Sequence, residues 1–197
     1  METDIVIKSF EESIKTKKEF FTDANVALVV EAAETTVSCF AAGGKLLIAG
    51  NGGSAADAQH LAAEFVNRFV IERPPLPALA LTTDSSILTS IGNDYSFDES
   101  ISKQVKALGK SGDILLLIST SGNSGNIVKA ADTARGMGIK TIALTGGGGG
   151  ELGPIADLHL NVRSKSTARA QEVHITICHI ICELVDHILF EKAGKSG

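Results

Sequence analysis

Apolar positions recur at helical spacing through the first 42 residues, at Ile5, Phe10 and Ile14 and then at Val26, Val29, Val30, Ala33 and Val37, with no alternation of the strand kind. This predicts two helices. Beyond Gly43 and Gly44 the pattern changes to short apolar runs: Leu46 to Ala49, Ala78 to Leu81, Ile114 to Ser119, Thr141 to Leu144 and His159 to Val162. Each run is bounded by Gly, Asp or Ser and followed by a longer stretch of helical character. Such runs suit strands covered on both faces, so the alternation predicts an α/β fold with a five-stranded parallel sheet flanked by helices. A last long helix, about Ala168 to Phe190, is apolar on much of its circumference, through Val173, Ile177, Ile180, Ile181, Leu184 and Ile188. A helix of that kind is buried, often against another subunit. Gly146 to Gly150 reads as a flexible loop, and no boundary for a second domain is visible.

Composition narrows the function classes. A chain of 197 residues with 44% hydrophobic residues can bury a core as one domain without disulfides. Its formal charge of -5 gives no basic surface for nucleic acid or an anionic membrane. Cys39, Cys178 and Cys182 show no disulfide spacing, the N-terminus has no leader pattern, and no apolar run approaches the roughly 20 residues of a membrane span. A soluble protein of a reducing cytoplasm is expected.

Two loops carry the candidate chemistry. In LLIAGNGGSAADAQH (46–60), an apolar strand runs into Gly50, Gly52 and Gly53, and Ser54 is placed to cap the following helix, whose free N–H groups and dipole favour an anion. In STSGNSGN (119–126), Ser119, Thr120, Ser121 and Ser124 crowd one turn between a strand and a helix. Serines cap helices everywhere, but four hydroxyls in six residues directly after a buried strand favour phosphate, because ligands of open α/β sheets bind beyond the carboxyl ends of the strands. Gly50, Gly52 and Ala55 also fit a dinucleotide fingerprint. That motif expects an acid about 20 positions on, whereas the candidate Asp84 stands much farther away, and it leaves the serine loop unexplained.

His60 and Glu64 are one turn apart on the helix launched by the glycine loop, so both can face one ligand. Glu64 lies in an Ala-rich context, AQHLAAEFV, where burial would make an unpaired carboxylate a better base near neutral pH. The last helix embeds Gln171, Glu172, His174 and His179 among Val and Ile, and buried polar groups need partners. His179 suits an acid, a base or a metal ligand, and with His60 and Glu64 it would make a His₂Glu set of a kind that holds zinc. Cys178 and Cys182 beside His179 form a competing, incomplete metal set. His159 and His187 receive no role.

AGNGGSAADAQHLAAEFVNRF, LTTDSSILTSIGNDYSF, STSGNSGN and AQEVHITICHIICELV, in this order, resemble the phosphoheptose isomerase family of the sugar isomerase (SIS) domain superfamily, from about residue 20 to residue 190. The resemblance implies a single doubly wound SIS domain over 1–197, with a 1–42 helical segment used in oligomerisation and an α/β core with its C-terminal helix over 43–197. It implies a cytoplasmic bacterial homotetramer that interconverts sedoheptulose 7-phosphate and a manno-heptose 7-phosphate, the first step toward the heptose of lipopolysaccharide. Carried over by motif, Ser119, Thr120, Ser121 and Ser124 would bind phosphate, and Asn51, Gly52, Gly53, Ser54, Asn93, Asp94, Glu64 and Gln171 would hold the sugar. Glu64 and His179 would be the acid–base pair, in roles that can be exchanged. His60, Glu64, Gln171 and His179 would hold zinc, and no nucleotide cofactor is implied.

Ala168 departs from isomerases that carry an acidic residue just before the Arg-x-Gln-Glu segment. A second branch of the superfamily binds the bacterial replication initiator, and NRFVIERPPLPALAL and VDHILF resemble it too. That branch has Arg in the serine loop and lacks the histidine, whereas this chain has Ser121 and His179. A sugar-sensing transcription regulator would carry a DNA-binding domain, for which the N-terminal region leaves no room.

Overall fold

The computed structural model describes residues 1–192. Helices α1 (Glu2–Phe20) and α2 (Asp23–Ala41) lead into β1 (Leu46–Gly50) and α3 (Gly53–Val66). Then follow β2 (Ala78–Ala80), α4 (Ser85–Asp94), α5 (Ser102–Leu108), β3 (Ile114–Ser119) and α6 (Gly125–Gly136). β4 (Lys140–Gly146), β5 (Leu158–Val162) and α7 (Thr167–Asp186) complete the chain, and α7 runs into a π-helical turn at His187–Lys192.

All five strands are parallel, in the order β2-β1-β3-β4-β5. From β1 the chain first moves outward to β2 and then crosses back to β3, so the loops leaving β1 and β3 diverge to opposite faces of the sheet. The crevice between them is where open α/β sheets bind ligands.

Alternate strand residues feed two separate cores. Leu46, Ile48, Leu116 and Ile118 pack under α2, α3 and α7, while Leu47, Ala49, Leu115 and Leu117 pack under α5 and α6. The expectation of strands covered on both faces holds for β1 and β3, whose every residue is buried. It fails at β2, a three-residue edge strand that leaves Leu79 41% exposed, because an edge has a neighbour on one side only. The helical readings of 1–42 and of the C-terminal segment match α1, α2 and α7. By length and composition alone α2 and the C-terminal helical stretch are long and apolar enough to cross a bilayer. Here Val29, Ala32 and Ala33 of α2 and Val173, Ile177 and Ile181 of α7 pack into the core under the sheet.

The Gly146–Gly150 run is a built turn rather than the flexible loop its composition predicts. Gly146 N–H donates to the Thr120 carbonyl, Gly147 N–H to that of Ser164 and Leu152 N–H to that of Gly122. The Gly149 carbonyl lies where a Cβ on Gly122 would have to go, and Gly122 itself has φ +68, so this turn braces the serine loop through a contact that only glycine permits.

Candidate active site

α3 positions the first half of the site. Its N-cap is Gly52, at φ 54, and no side chain caps it. Ser54, expected as the cap, instead lies inside the first turn and is 3% exposed, because the chain turns into the helix two residues earlier than the sequence implied. Ser54 N–H turns back to the Asn51 carbonyl and Ala55 N–H to that of Gly52, so of the first turn only the Gly53 N–H has no described partner and is left to water or a ligand. Four and seven residues on from Gly53 along this helix stand Asp57 and His60, with Glu64 one turn later.

α7 supplies the second half. Its His179 Nε2 lies 3.2 Å from His60 Nε2, and His60 Nε2 lies 2.9 Å from Glu64 Oε1. These three atoms all fall within 4.8 Å of one another. Phe69, past the end of α3, lies beside the His179 ring with centroids 5.4 Å apart and limits its swing. Glu64 is not the unpaired buried carboxylate expected from its alanine neighbours, since its side chain keeps 25% exposure and faces His60. Beneath the cluster, Asp57 Oδ2 is buried without a hydrogen-bond partner among the described residues. Burial pushes the Asp57 pKa up, and the nearby His60 and His179 pull it the other way.

The donor chemistry fits a metal ion. His60 Nε2 is shared between Glu64 and His179, and at most one hydrogen can stand between two ring nitrogens, so a proton leaves one of the contacts unmade. A cation accepts all three lone pairs at once, and two imidazoles with one carboxylate are a zinc donor set. Gln171, two turns before His179, has its amide over Gly53, where a Cβ would come within 2.5 Å of Nε2. This contact fastens the start of α3 to α7 and explains the glycine at 53. Cys178 and Cys182 form no second metal set: both are fully buried, and burial pushes both thiols up, away from the thiolate a metal needs.

The serine loop forms the other wall. Ser119 Oγ and Ser124 Oγ lie 3.2 Å apart, Gly122 N–H donates to Ser119 Oγ, and Asn123 N–H donates to Ser121 Oγ. Ser124 is the N-cap of α6, yet its side chain makes no capping hydrogen bond. The alternative that these serines serve only as caps therefore fails at the position where it should hold best; Ile127 N–H returns to the Ser124 carbonyl, while the Gly125 and Asn126 N–H groups have no described partner and stay open to an anion.

Asn93 and Asp94 end α4, exposed and bonded to each other at 2.9 Å, with no described contact to either wall. Asp84, the candidate ribose-binding acid, is the N-cap of α4 and accepts from Ile87 N–H. Sequence reasoning missed Asn126, which joins Asn51 by two hydrogen bonds of 2.9 Å, and Arg73, whose buried guanidinium holds the Glu64 and Phe65 carbonyls. Both lie inside stretches the sequence singles out, Asn126 as the last residue of STSGNSGN and Arg73 within NRFVIERPPLPALAL, but nothing local marks either side chain.

The SIS domain family profile matches residues 9–146. The phosphoheptose isomerase of Nitratidesulfovibrio vulgaris Hildenborough is 57% identical over 188 residues, which cover 95% of this chain and 90% of the relative. The chain belongs to the phosphoheptose isomerase family. Among solved structures, the phosphoheptose isomerase from Neisseria gonorrhoeae superimposes with TM-score 0.90 at 46% identity, covering 94% of this chain and 99% of that one. The one from Francisella tularensis gives TM-score 0.91 at 44% identity, with 95% and 99% covered. Similarity at that level spans both the glycine loop and the C-terminal helix, the two elements that meet at the histidine pair.

Proposed function

We propose that the protein is a phosphoheptose isomerase, interconverting D-sedoheptulose 7-phosphate and D-glycero-D-manno-heptose 7-phosphate through an enediol. The observation that carries this reading is the convergence of Glu64 with His60 and His179 beside a serine loop whose helix N-terminus is uncapped. Relatives of this name at 50–57% identity over nearly the whole chain support the substrate.

In this reading Ser119, Thr120, Ser121 and Ser124 hold the 7-phosphate at the start of α6, where N–H groups and the helix dipole favour an anion. Asn51, Gly52, Gly53 and Ser54, together with Asn93, Asp94 and Gln171, line the path of the sugar. Glu64 removes a proton from C1 of the ketose, giving the enediol, and returns a proton to C2 to complete the aldose. His179 moves the matching hydroxyl proton from O1 to O2, so that no charge accumulates on oxygen. The phosphate, on the seventh carbon, serves to fix C1 and C2 against Glu64, which is the use of binding energy remote from the reacting atoms. His60, Glu64, Gln171 and His179 would hold a zinc ion. When bound, zinc supplies a Lewis acid for the carbonyl and diol oxygens.

His179 in the donor set, with Ser121 in the serine loop, weighs against the initiator-binding branch. We further propose a bacterial cytoplasmic enzyme of ADP-heptose and lipopolysaccharide core precursor synthesis, acting without nucleic acid, membrane or nucleotide cofactor. It works as a homotetramer over a single 1–197 domain. The 1–42 helices support this assembly: α1 buries none of its residues, and Ile5, Phe10, Ile14 and Phe21 stay more than half exposed in the single chain. Beside them an apolar groove of about 500 Å³, lined by Phe21, Val26, Val30, Ile180 and Leu184, lacks a cover. Incubating the purified protein with sedoheptulose 7-phosphate and following the aldose product tests the proposal.

A further inference from the structure

The two walls of the site are joined by one pair of side chains. Asn51 Nδ2 donates to Asn126 Oδ1 and Asn126 Nδ2 donates back to Asn51 Oδ1, both at 2.9 Å. Asn126 is 2% exposed, and its Nδ2 also reaches Ser100 Oγ at 3.4 Å. Asn51 lies in the loop between β1 and α3, and Asn126 in the first turn of α6, just after the serine loop. β1 and β3 are neighbours, with Gly50 opposite Ile118, yet α3 and α6 leave toward opposite faces of the sheet. The reciprocal amide pair is therefore a tie across the crevice.

An amide offers two N–H donors and one carbonyl oxygen, and Asn51 commits one donor and its oxygen to Asn126. Its side chain is held by α6 before any sugar arrives. The isomerisation needs the phosphate, six carbons from C1, and Glu64 to be in register to well under an ångström, and a misplacement of about 1 Å costs on the order of a hundredfold in rate.

We propose that Asn126 is a positioning residue: through its pair with Asn51 it sets the start of α3, and with it His60 and Glu64, at a fixed distance from the phosphate loop. This rests on the isomerase reading above. The test compares Asn126→Ala, Asn51→Ala and the double variant in kcat, KM, inhibition by inorganic phosphate and amide hydrogen exchange of residues 51–57. Asn126→Ala is expected to lower kcat about a hundredfold while inhibition by inorganic phosphate, which needs the serine loop alone, changes less than about twofold. Adding Asn126→Ala to Asn51→Ala should cost less than about twofold more, because both act through one tie. Unchanged kcat, costs that multiply in the double variant, or loss of phosphate inhibition along with kcat would each overturn the proposal. Asn126→Asp, which keeps the shape and the acceptor for Asn51 Nδ2 but sets a second acceptor against Asn51 Oδ1 in place of the donor, covers failure of the alanine variant to fold and is expected to lower kcat as well. If the wild type fails to turn over the heptose phosphate, the isomerase reading falls, and exchange decides the tie by itself: about tenfold faster exchange at 51–57 in Asn126→Ala supports it, and unchanged exchange contradicts it.

Discussion

His179 Nε2 of α7 lies 3.2 Å from His60 Nε2 of α3, although 119 residues separate them in the chain. With Glu64 Oε1 2.9 Å from the same His60 nitrogen, three donor atoms meet where a proton can satisfy only part of the set. Chelated protein is therefore expected to take up about one zinc ion per subunit. His60→Ala should weaken that uptake by at least about a hundredfold in a calorimetric titration, with the far-ultraviolet spectrum unchanged. Equal zinc affinity in the variant would show that the cluster is not a metal site.

Glu64 is also held from behind. Arg73, with a side chain 1% exposed, donates through Nε to Asp186 Oδ1 at 2.7 Å, through Nη1 to the Phe65 carbonyl and through Nη2 to the Glu64 carbonyl. Removing one partner of a buried ion pair strands the other charge, so Arg73→Met should cost about 3–5 kcal/mol of stability. For a domain of this size that lowers the melting temperature by roughly 10 °C. Arg73→Met with Asp186→Leu should recover much of the loss, since no charge is then left buried. A calorimetric scan of the three proteins distinguishes this from an exposed pair, whose loss would hardly register.

Stability should fall in mild acid. His174 has no exposed surface, and its Nε2 donates to the Thr145 carbonyl at 2.9 Å, which fixes the neutral tautomer, while Nδ1 has no partner among the described residues. Burial pushes the His174 pKa below its ordinary 6.5, outweighing the upward pull of the bond to Thr145, and burial lowers that of His159 too. In the unfolded chain both protonate near 6.5, whereas in the folded chain both wait for lower pH. Between those limits the unfolded state binds more protons, so stability is lost as pH falls below about 6.5 and is untouched above it. Urea midpoints between about pH 7.5 and 5.5 should decline, with a smaller decline in His174→Gln. An equal decline in the variant would rule out His174 as a source.

The sheet was legible in the sequence because its central strands are short apolar runs between turn residues, a pattern that burial on both faces enforces. Boundaries moved where tertiary contacts decide them: α3 starts at Gly53 rather than after Ser54, since Gly52 takes a backbone conformation that a Ser-capped reading does not anticipate. His60 and Glu64 could be paired from helical spacing, and the serine loop from its density of hydroxyls. The approach of His179 to them had no local signal, because it depends on how α7 crosses α3: donor chemistry suggests the His₂Glu set, but no spacing supports it, and the resemblance to a family strengthens it. Asn126 and Arg73 stayed invisible for the same reason: each is one polar residue whose meaning lies in a partner 75 or 113 positions away.

Glu64 as the base of a ketose–aldose isomerisation is tested most directly by following sedoheptulose 7-phosphate with the folded wild-type protein and with Glu64→Gln, by nuclear magnetic resonance in deuterated water. The wild type should form the manno-heptose 7-phosphate, with solvent deuterium entering at C2. Glu64→Gln, with its fold and phosphate binding intact, should slow this by at least about a thousandfold. No aldose from the folded wild type, or the same rate from Glu64→Gln, would contradict it.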